Sequence, residues 1–366
     1  MKILVLDSVY AKAKSLIRNQ KESPNWDDEL EESGPVGNGS ELAAAFRQLG
    51  ITSTVITITK PPMELSNWQE RILDRSDLVS RLPIGANTLF SLTGMDEWLI
   101  RTISRLGPSH VYCLAVNALP VKVATYIKSQ GIILVGQIAS PLPPKRSLSN
   151  YSHMFTAMPC LREKFHEIGL SSSHLLLGYN PSTSSLSKDW REREISTIFI
   201  GSLGRHHKNS FAILSAAAEV DPGLRIYAPS RPKQLKKLGL DQNYFGEAFG
   251  RQMFALLGNS RLVLNRHAGF ATGLSANLRM YEASGMGASL LTEENPSLYS
   301  IFPRGEVFTY DKMSDVRDVV ALARDDDPKI REAAQKAQRT TMSRHTVMHR
   351  AKEVLRVMRG LPGKVQ

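Results

Sequence analysis

The feature that most constrains the fold is a repeated alternation of short apolar segments with stretches of helical periodicity. In the first half of the chain, strand-length apolar segments occur at Lys2–Asp7, Thr52–Ile58, Thr88–Leu92, His110–Ala115, Ile132–Val135 and His174–Leu177. Helical patterns fall between them, at Ser40–Leu49, Asp96–Leu106, Val121–Gln130 and Leu161–Ile168. Because alternating strands and helices form βαβ units, this half is predicted to be an α/β domain with a parallel, doubly wound sheet.

The same alternation starts again after a polar, serine-rich passage at Asn180–Lys188. The second set of predicted strands is Ser196–Ile200, Leu224–Tyr227, Leu262–Asn265, Ser289–Thr292 and Val307–Tyr310. Its predicted helices are Asn209–Val220, Phe249–Leu257, Leu278–Gly285 and Met313–Arg324. We therefore predict two Rossmann-like domains facing each other across a cleft: residues 1–180, a linker over 181–192, residues 193–345, and a basic C-terminal helix over 346–366. The C-terminal helices are expected to pack back toward the first domain.

Composition narrows the class of protein. The 366 residues are 42% hydrophobic and 22% charged, which excludes a mainly disordered or fibrous chain. No uncharged apolar run reaches eighteen residues, and Met1–Asp7 enters a strand without signal-peptide features, so a cytoplasmic protein is expected. Cys113 and Cys160 lack metal-ligand spacing, which predicts buried thiols rather than a disulfide or zinc site.

The net charge of +11 is concentrated at the C-terminus. Residues 329–366 carry ten Lys or Arg against two acidic residues, on two predicted amphipathic helices. These basic faces are either simply solvated or attract an anionic membrane surface or a phosphate-bearing substrate. No aromatic residues are interleaved with the cations, so nucleic acid is not expected as a partner.

The first candidate site follows the strand Ser196–Ile200. Glycines allow backbone N–H groups to approach an anion, and the helix after this turn would present further donors. The candidate anion-binding residues are Gly201, Ser202, Arg205 and Lys208. The stretch has neither a dinucleotide nor a Walker A spacing, and a solvated turn capped by Asn209 is the alternative.

The second candidate site extends from Asn265 to Thr292. Asn277 is predicted to be the N-cap of a short helix, on which Arg279 and Glu282 share one face because they are three residues apart. A carboxylate there could accept both hydroxyls of a ribose, while Arg279 and the helix N-terminus face a phosphate. The alternative is an exposed intrahelical ion pair.

The passage from Asn277 to Thr292 resembles the donor-site signature of group 1 glycosyltransferases, in particular the branch related to spore-maturation glycosyltransferases. Four further segments resemble the same branch and occur in the family's order: residues 136–143, 199–202, 264–267 and 344–350. The resemblance implies a GT-B fold, with a nucleotide-sugar donor held by the C-terminal domain and an acceptor bound by the N-terminal domain.

The resemblance also implies residue roles. Glu282 would bind the donor ribose, and Arg279 with the amides after Asn277, from Leu278 onward, would meet the diphosphate. The leaving nucleotide would be neutralised by the cations near Gly201 and Ser202. His267 is the catalytic candidate, since it would lie near the donor sugar. No paired carboxylates of the DxD type stand at a strand end, so no metal and no cofactor beyond the donor substrate is predicted.

One departure bears on the stereochemistry. Many retaining members carry an acidic residue eight positions before the ribose-binding Glu, where this chain has Leu274. Transfer with retention of the anomeric configuration is therefore implied by the resemblance alone. Gln137 and Ser140 leave a predicted strand and would either contact acceptor or donor sugar or form an ordinary loop.

Three functions remain open at this stage: a hexosyltransferase using a nucleotide-diphosphate sugar, a sugar-nucleotide epimerase of the same fold, and a non-catalytic binding protein. The acceptor would be a glycan, a lipid-linked molecule or a small molecule. A cytoplasmic location, peripheral at the inner face of the membrane, would suit the basic C-terminus.

Overall fold

The computed structural model describes residues 1–7, 38–58, 95–140, 142–203, 210–228, 233–267 and 277–362. The fold divides into two compact units. Unit 1 comprises the described residues up to Leu175 together with those from Ala351 onward, and unit 2 runs from Leu176 to Arg350. The predicted strand Thr88–Leu92 lies outside the described residues, as do Arg205, Lys208 and Leu274.

Unit 1 is built on a six-stranded sheet in the order β2-β1-β3-β4-β5-β6, in which every neighbouring pair is parallel. Its strands are β1 (Lys2–Asp7), β2 (Thr52–Thr57), β3 (His110–Cys113), β4 (Ile133–Gln137), β5 (His153–Thr156) and β6 (Ser172–His174). The described helices between them are α1 (Asn38–Gln48), α2 (Met95–Leu106), α3 (Val121–Ser129), α4 (Lys145–Leu148) and α5 (Pro159–Glu167). Strand β1, which lies between β2 and β3, is buried on both faces because its four successive residues 3–6 are apolar.

Unit 2 contains a five-stranded parallel sheet in the order β11-β10-β9-β7-β8. The strands are β7 (Ile195–Ile200), β8 (Arg225–Tyr227), β9 (Ser260–Leu264), β10 (Ser289–Glu293) and β11 (Phe308–Tyr310). The described helices are α6 (Ser210–Val220), α7 (Lys233–Lys237), α8 (Gly250–Gly258), α9 (Leu278–Gly285), α10 (Met313–Arg324), α11 (Pro328–Arg344) and α12 (Val347–Gly360). The last of these, α12, crosses from unit 2 into unit 1 at Ala351.

Two hydrophobic clusters lie on opposite faces of the unit 2 sheet. Ile198 and Ile200 of β7 belong to one cluster, and Phe199 between them belongs to the other. Successive side chains of a strand point to opposite faces, so both faces of the sheet are covered. The prediction of two Rossmann-like α/β units is thereby confirmed.

Strand order fixes where a ligand would bind. In unit 2, β7 lies between β8 and β9, so the chain leaves the first strand in one direction and later returns to its other side. Open α/β sheets bind ligands outside the carboxyl ends of the strands at such a switch point. The equivalent point in unit 1 lies between β1 and β3.

The sequence predictions were wrong in three local respects. Strand β5 was not predicted, and β6 begins and ends before the predicted His174–Leu177. Cys160 is exposed rather than buried, since it lies in the first turn of α5, whereas Cys113 in β3 is buried as expected.

None of the helices among the described residues has the length and apolarity needed to span a membrane.

Candidate functional site

A pocket of about 500 Å³, counting space open to solvent, lies at the carboxyl ends of β7 and β9. It therefore occupies the switch point of unit 2. Its lining residues are Phe199, Ile200, Gly201, Ser202, Ser210, Leu264, Asn265, Arg266, Asn277 and Arg279. The sequence predicted four of these as donor-site residues: Gly201, Ser202, Asn277 and Arg279.

The helix α9 begins at this pocket. Asn277 is its N-cap, as predicted, because its side chain accepts a hydrogen bond from the Met280 amide at 3.3 Å. The same side chain donates to the Arg266 carbonyl at 3.0 Å and to Asn265 Oδ1 at 2.8 Å. Asn277 thus ties the helix N-terminus to the end of β9.

Arg279 and Glu282 form an intrahelical ion pair, with 2.6 Å between Arg279 Nη1 and Glu282 Oε2. Their side chains are only 17% and 10% exposed, so the pair is largely buried, unlike the exposed pair that is the alternative to a ligand site. Arg279 Nε also donates to the Ile200 carbonyl at 3.1 Å, which fixes the guanidinium at the end of β7. Burial raises the pKa of Glu282, and the neighbouring Arg279 opposes that rise.

A second ion pair lies on the other side of the pocket. Arg266 Nε donates to Glu293 Oε1 at 3.0 Å, and the other carboxylate oxygen accepts from the His267 amide at 2.9 Å. Glu293 is the last residue of β10, which neighbours β9 in the sheet. This carboxylate therefore holds the segment that follows β9.

His267 lies beside this pair and is only 5% exposed. Its Nε2 is 3.3 Å from Thr292 Oγ1, and its buried Nδ1 has no hydrogen-bond partner among the described residues. The pKa of His267 is lowered by burial, raised by Glu293 and lowered by Arg266, with a net decrease. His267 is accordingly neutral at pH 7.

The helix α6 also begins at the pocket. Ser210 is its first residue, lines the pocket and is 1% exposed. Its hydroxyl makes no hydrogen bond within the part of the chain that the structure describes. A buried hydroxyl without a partner is costly, so the site favours a ligand that supplies a polar atom.

The electrostatics of the pocket follow from this arrangement. Among the described residues that line the pocket, the two arginines, Arg266 and Arg279, are each paired with a carboxylate. In this part of the chain, further positive potential comes from the N-termini of α6 and α9, whose first amides carry partial positive charge. Such a site suits an anion that is bound largely by backbone donors.

Two predicted residues lie in unit 1. Gln137 ends β4, and its Oε1 accepts from the buried Tyr112 hydroxyl at 2.6 Å. Ser140 Oγ accepts from Asn117 Nδ2 at 3.0 Å. Both side chains lie beyond the carboxyl ends of β3 and β4, where they form a neutral polar edge.

Sequence reasoning missed Ser210, Thr292 and Glu293. Thr292 and Glu293 close a predicted apolar strand, and polar residues at the carboxyl end of a parallel strand are a usable signal. In the described part of the chain, no group of three His, Cys, Asp or Glu residues is arranged to hold a metal ion. Metal independence remains a prediction.

Comparison with known proteins finds a sequence likeness over part of the chain and a shared fold over nearly all of it. Residues 207–356 match the family model described as "Glycosyl transferase-like". No curated protein matches the chain by sequence.

Three solved structures share the fold over nearly the whole chain. HepE from Anabaena, solved in complex with UDP and glucose, has a TM-score of 0.61 at 14% identity, covering 99% of this chain and 100% of that one. Sucrose-phosphate synthase from Thermosynechococcus elongatus has a TM-score of 0.63 at 11% identity and covers 98% of both chains. A putative UDP-N-acetylglucosamine 2-epimerase from Listeria monocytogenes has a TM-score of 0.54 at 14% identity, covering 98% of this chain and 96% of that one.

The resemblance to glycosyltransferases is thereby confirmed. The chain has the GT-B fold, and the region that contains α9 and most of the pocket has a glycosyltransferase-like sequence. The spore-maturation branch stays a prediction.

Proposed function

We propose that the protein is a glycosyltransferase that takes a hexosyl group from a nucleotide-diphosphate sugar, and that the donor nucleotide binds in the pocket of unit 2. The observation that carries this proposal is the convergence of the α6 and α9 N-termini at the switch point between β7 and β9. The glycosyltransferase-like sequence of residues 207–356 supports it. So does the shared fold of HepE, which was solved with UDP and glucose.

The proposed role of the helix N-termini is to bind the diphosphate. Sugar transfer leaves negative charge on the departing nucleotide, and preorganised N–H donors stabilise that charge as it develops. Arg279 adds a guanidinium that is fixed by the Ile200 carbonyl. In this proposal Arg205 and Lys208 contribute further charge, and no metal ion or cofactor is needed.

Glu282 is the proposed ribose ligand. Arg279 holds this carboxylate through a single oxygen, Oε2. The other oxygen, Oε1, is therefore available to accept a hydrogen bond from a hydroxyl of the ligand. The ion pair with Arg279 favours the ionised form against the effect of burial, and an ionised carboxylate accepts hydroxyl hydrogen bonds more strongly than a neutral one.

The proposed acceptor binds to unit 1, where Gln137 and Ser140 offer neutral polar contacts. A glycan, a lipid-linked molecule and a small hydroxylated molecule all suit such groups. The basic C-terminal residues would support peripheral contact with an anionic membrane on its cytoplasmic side. Retention of configuration is proposed from the family resemblance.

A sugar-nucleotide epimerase is the second candidate, favoured by the fold shared with the Listeria protein. The two functions differ in their product. When a nucleotide sugar is supplied without an acceptor, an epimerase converts it to its epimer, whereas a transferase leaves the sugar unepimerised.

A thermal-shift screen tests donor binding. The purified protein is heated with UDP, GDP and dTDP, and with their sugars, in EDTA and in magnesium chloride. A ligand present at a thousand times its Kd stabilises the fold by about 4 kcal/mol. We expect one nucleotide series to raise the melting temperature equally in both buffers.

Two variants assign that shift to the pocket. Glu282→Gln keeps the shape of the side chain but removes its charge, and we expect it to abolish most of the shift. Glu219→Gln alters an exposed ion pair with Arg317 and serves as the matched control. If no nucleotide stabilises the wild type, or if Glu282→Gln retains the full shift, the proposed donor site is wrong.

A further inference from the structure

A chain of hydrogen bonds leads from the N-cap of α9 to His267. It joins four side chains of unit 2: Asn277, Asn265, Thr292 and His267. Asn265 and Thr292 are 2% and 0% exposed, so water does not compete for these bonds. Each link can therefore be assigned a direction from its donors and acceptors.

The first link is fixed by backbone groups. Asn277 Oδ1 accepts from the Met280 amide, and Asn277 Nδ2 donates to the Arg266 carbonyl. An amide can only donate and a carbonyl can only accept, so the orientation of the Asn277 side chain is unambiguous. Its Nδ2 consequently donates to Asn265 Oδ1 at 2.8 Å.

The next two links follow from the first. Because Asn265 uses its oxygen as the acceptor, its Nδ2 donates to Thr292 Oγ1 at 2.9 Å. Thr292 Oγ1 also lies 3.3 Å from His267 Nε2. A hydroxyl oxygen can accept two hydrogen bonds, but a bond from Nε2 would leave the buried Thr292 hydrogen without an acceptor among the described residues, so Thr292 is assigned as the donor.

The last link determines the tautomer of His267. A ring nitrogen that accepts a hydrogen bond carries no hydrogen, so the neutral ring carries its hydrogen on Nδ1. That Nδ1 is buried and has no partner among the described residues. The Arg266 guanidinium beside the ring disfavours a charged imidazolium, although Glu293 offsets part of that effect.

We propose that His267 donates its Nδ1 hydrogen to an oxygen of the bound donor substrate, and that Asn265 and Thr292 are positioning residues that fix this tautomer. This inference rests on the proposed function. It makes His267 a binding group for the donor rather than a base that removes a proton from the acceptor. The accepting oxygen belongs either to a sugar hydroxyl or to the diphosphate.

The tautomer can be measured directly. Long-range proton–nitrogen correlation spectra of ¹⁵N-histidine-labelled protein at pH 7 distinguish the two neutral tautomers and the imidazolium, and His267→Asn assigns the signal. We expect the Nδ1–H form in the wild type and a mixture of tautomers in Thr292→Val. An Nε2–H or charged ring in the wild type would overturn the proposal.

Binding measurements test the role of the tautomer. We expect Thr292→Val to lower the affinity for the nucleotide sugar about tenfold and Thr292→Ser to retain most of the wild-type affinity. Thr197→Val is the matched control, because Thr197 is a buried β7 threonine whose hydroxyl has no partner among the described residues. The probes are UDP and UDP-glucose, or the corresponding pair that stabilises the protein in the thermal-shift screen.

The outcomes separate the possibilities. If Thr292→Val binds UDP-glucose more weakly but UDP unchanged, His267 donates to a sugar hydroxyl. If the affinity for both falls equally, it donates to a diphosphate oxygen. Unchanged binding of both in Thr292→Val overturns the inference while leaving the donor site intact. Absence of nucleotide binding in the wild type would instead refute the proposed function.

Discussion

The two parallel sheets share a strand order but carry different chemistry at their carboxyl edges. In unit 2, the edge holds two ion pairs, the largely buried Arg279–Glu282 and the partly exposed Arg266–Glu293, together with two helix N-termini. In unit 1, the described edge holds neutral hydrogen-bonded pairs such as Tyr112–Gln137. The carboxylate at the end of β1, Asp7, accepts a hydrogen bond from the first turn of α1, at the Gly39 amide.

This difference shows that the side chains after each strand, rather than the topology, determine what an edge can bind. Fixed charge and backbone donors make the unit 2 edge suitable for an anion such as a diphosphate. Beyond β3 and β4, neutral amide and hydroxyl groups make the unit 1 edge suitable for an uncharged hydroxylated molecule. Variants that affect one edge and not the other test this division.

The largest effect is expected from Arg279→Ala. It removes the guanidinium from the pocket and leaves Glu282 buried without its partner, which costs about 3 kcal/mol of stability. We expect nucleotide affinity to fall at least about a hundredfold, corresponding to about 2.7 kcal/mol. Calorimetric titration and urea unfolding measure the two effects.

The control for Arg279→Ala is Arg317→Ala, which breaks the exposed pair with Glu219. Its nucleotide affinity and urea midpoint should match the wild type. Equal losses in both variants would mean that the effect of Arg279→Ala does not come from the pocket.

Acid should destabilise unit 2 through His345. Arg350 Nη2 donates to His345 Nδ1 at 2.7 Å, and the ring faces the Ile301 carbonyl with its other nitrogen. Burial, followed by the charge of Arg350, lowers the pKa of His345 to about 4 from 6.5. Between these pH values the unfolded state binds more protons, so stability falls as the pH falls, by up to about 3 kcal/mol.

Unit 1 provides the comparison for that pH dependence. Burial lowers the pKa of its His153 as well, but the hydroxyls of Ser171 and Ser173 that contact this ring can turn to accept from its charged form. Hydrogen exchange at pH 7 and pH 5 should therefore show earlier loss of protection in α9 than in β4. We expect His345→Gln to reduce the difference, and equal acid sensitivity of the two units would contradict this explanation.

Two glycines test how tightly the interior of each unit is packed. A Cβ at Gly285, in the last turn of α9, would overlap the buried ring of Tyr179. A Cβ at Gly136, in β4, would meet the flexible end of Met154 and an edge of the Tyr151 ring. We expect Gly285→Ala to cost about 3 kcal/mol in urea unfolding and Gly136→Ala less, since a methionine side chain adapts more easily.

The smallest effect is expected from Tyr112→Phe in unit 1. It leaves Gln137 Oε1 without its 2.6 Å hydrogen bond, which costs about 1 kcal/mol. Steady-state kinetics should show a higher KM for the acceptor with an unchanged KM for the donor. A change in the donor KM alone would refute the assignment of the acceptor to unit 1.

Sequence patterns predicted those features that depend on local spacing. The Asn277 cap and the Arg279–Glu282 pair lie within a few residues of each other, and helix geometry alone brings them together. The long apolar strands were also predictable. Strand β5 was not, because its sequence, HMFT, has only two central apolar residues and so shows no readable period.

The rest of the site depends on contacts between distant residues. Glu293 meets Arg266, and Thr292 meets Asn265, only because β9 and β10 pair in parallel with Leu264 opposite Leu291. Neither the pairing nor its register can be obtained from one sequence. The partnerless hydroxyl of Ser210 likewise becomes visible only when the packing around it is known.

Binding of the donor nucleotide at the edge of unit 2 can be tested by hydrogen exchange with and without saturating nucleotide. We expect increased protection in peptides covering residues 199–203, 210–213, 265–267 and 277–281, with no change over 112–117 and 137–140. Protection confined to the unit 1 peptides, or no protection at a nucleotide concentration that stabilises the protein, would contradict it.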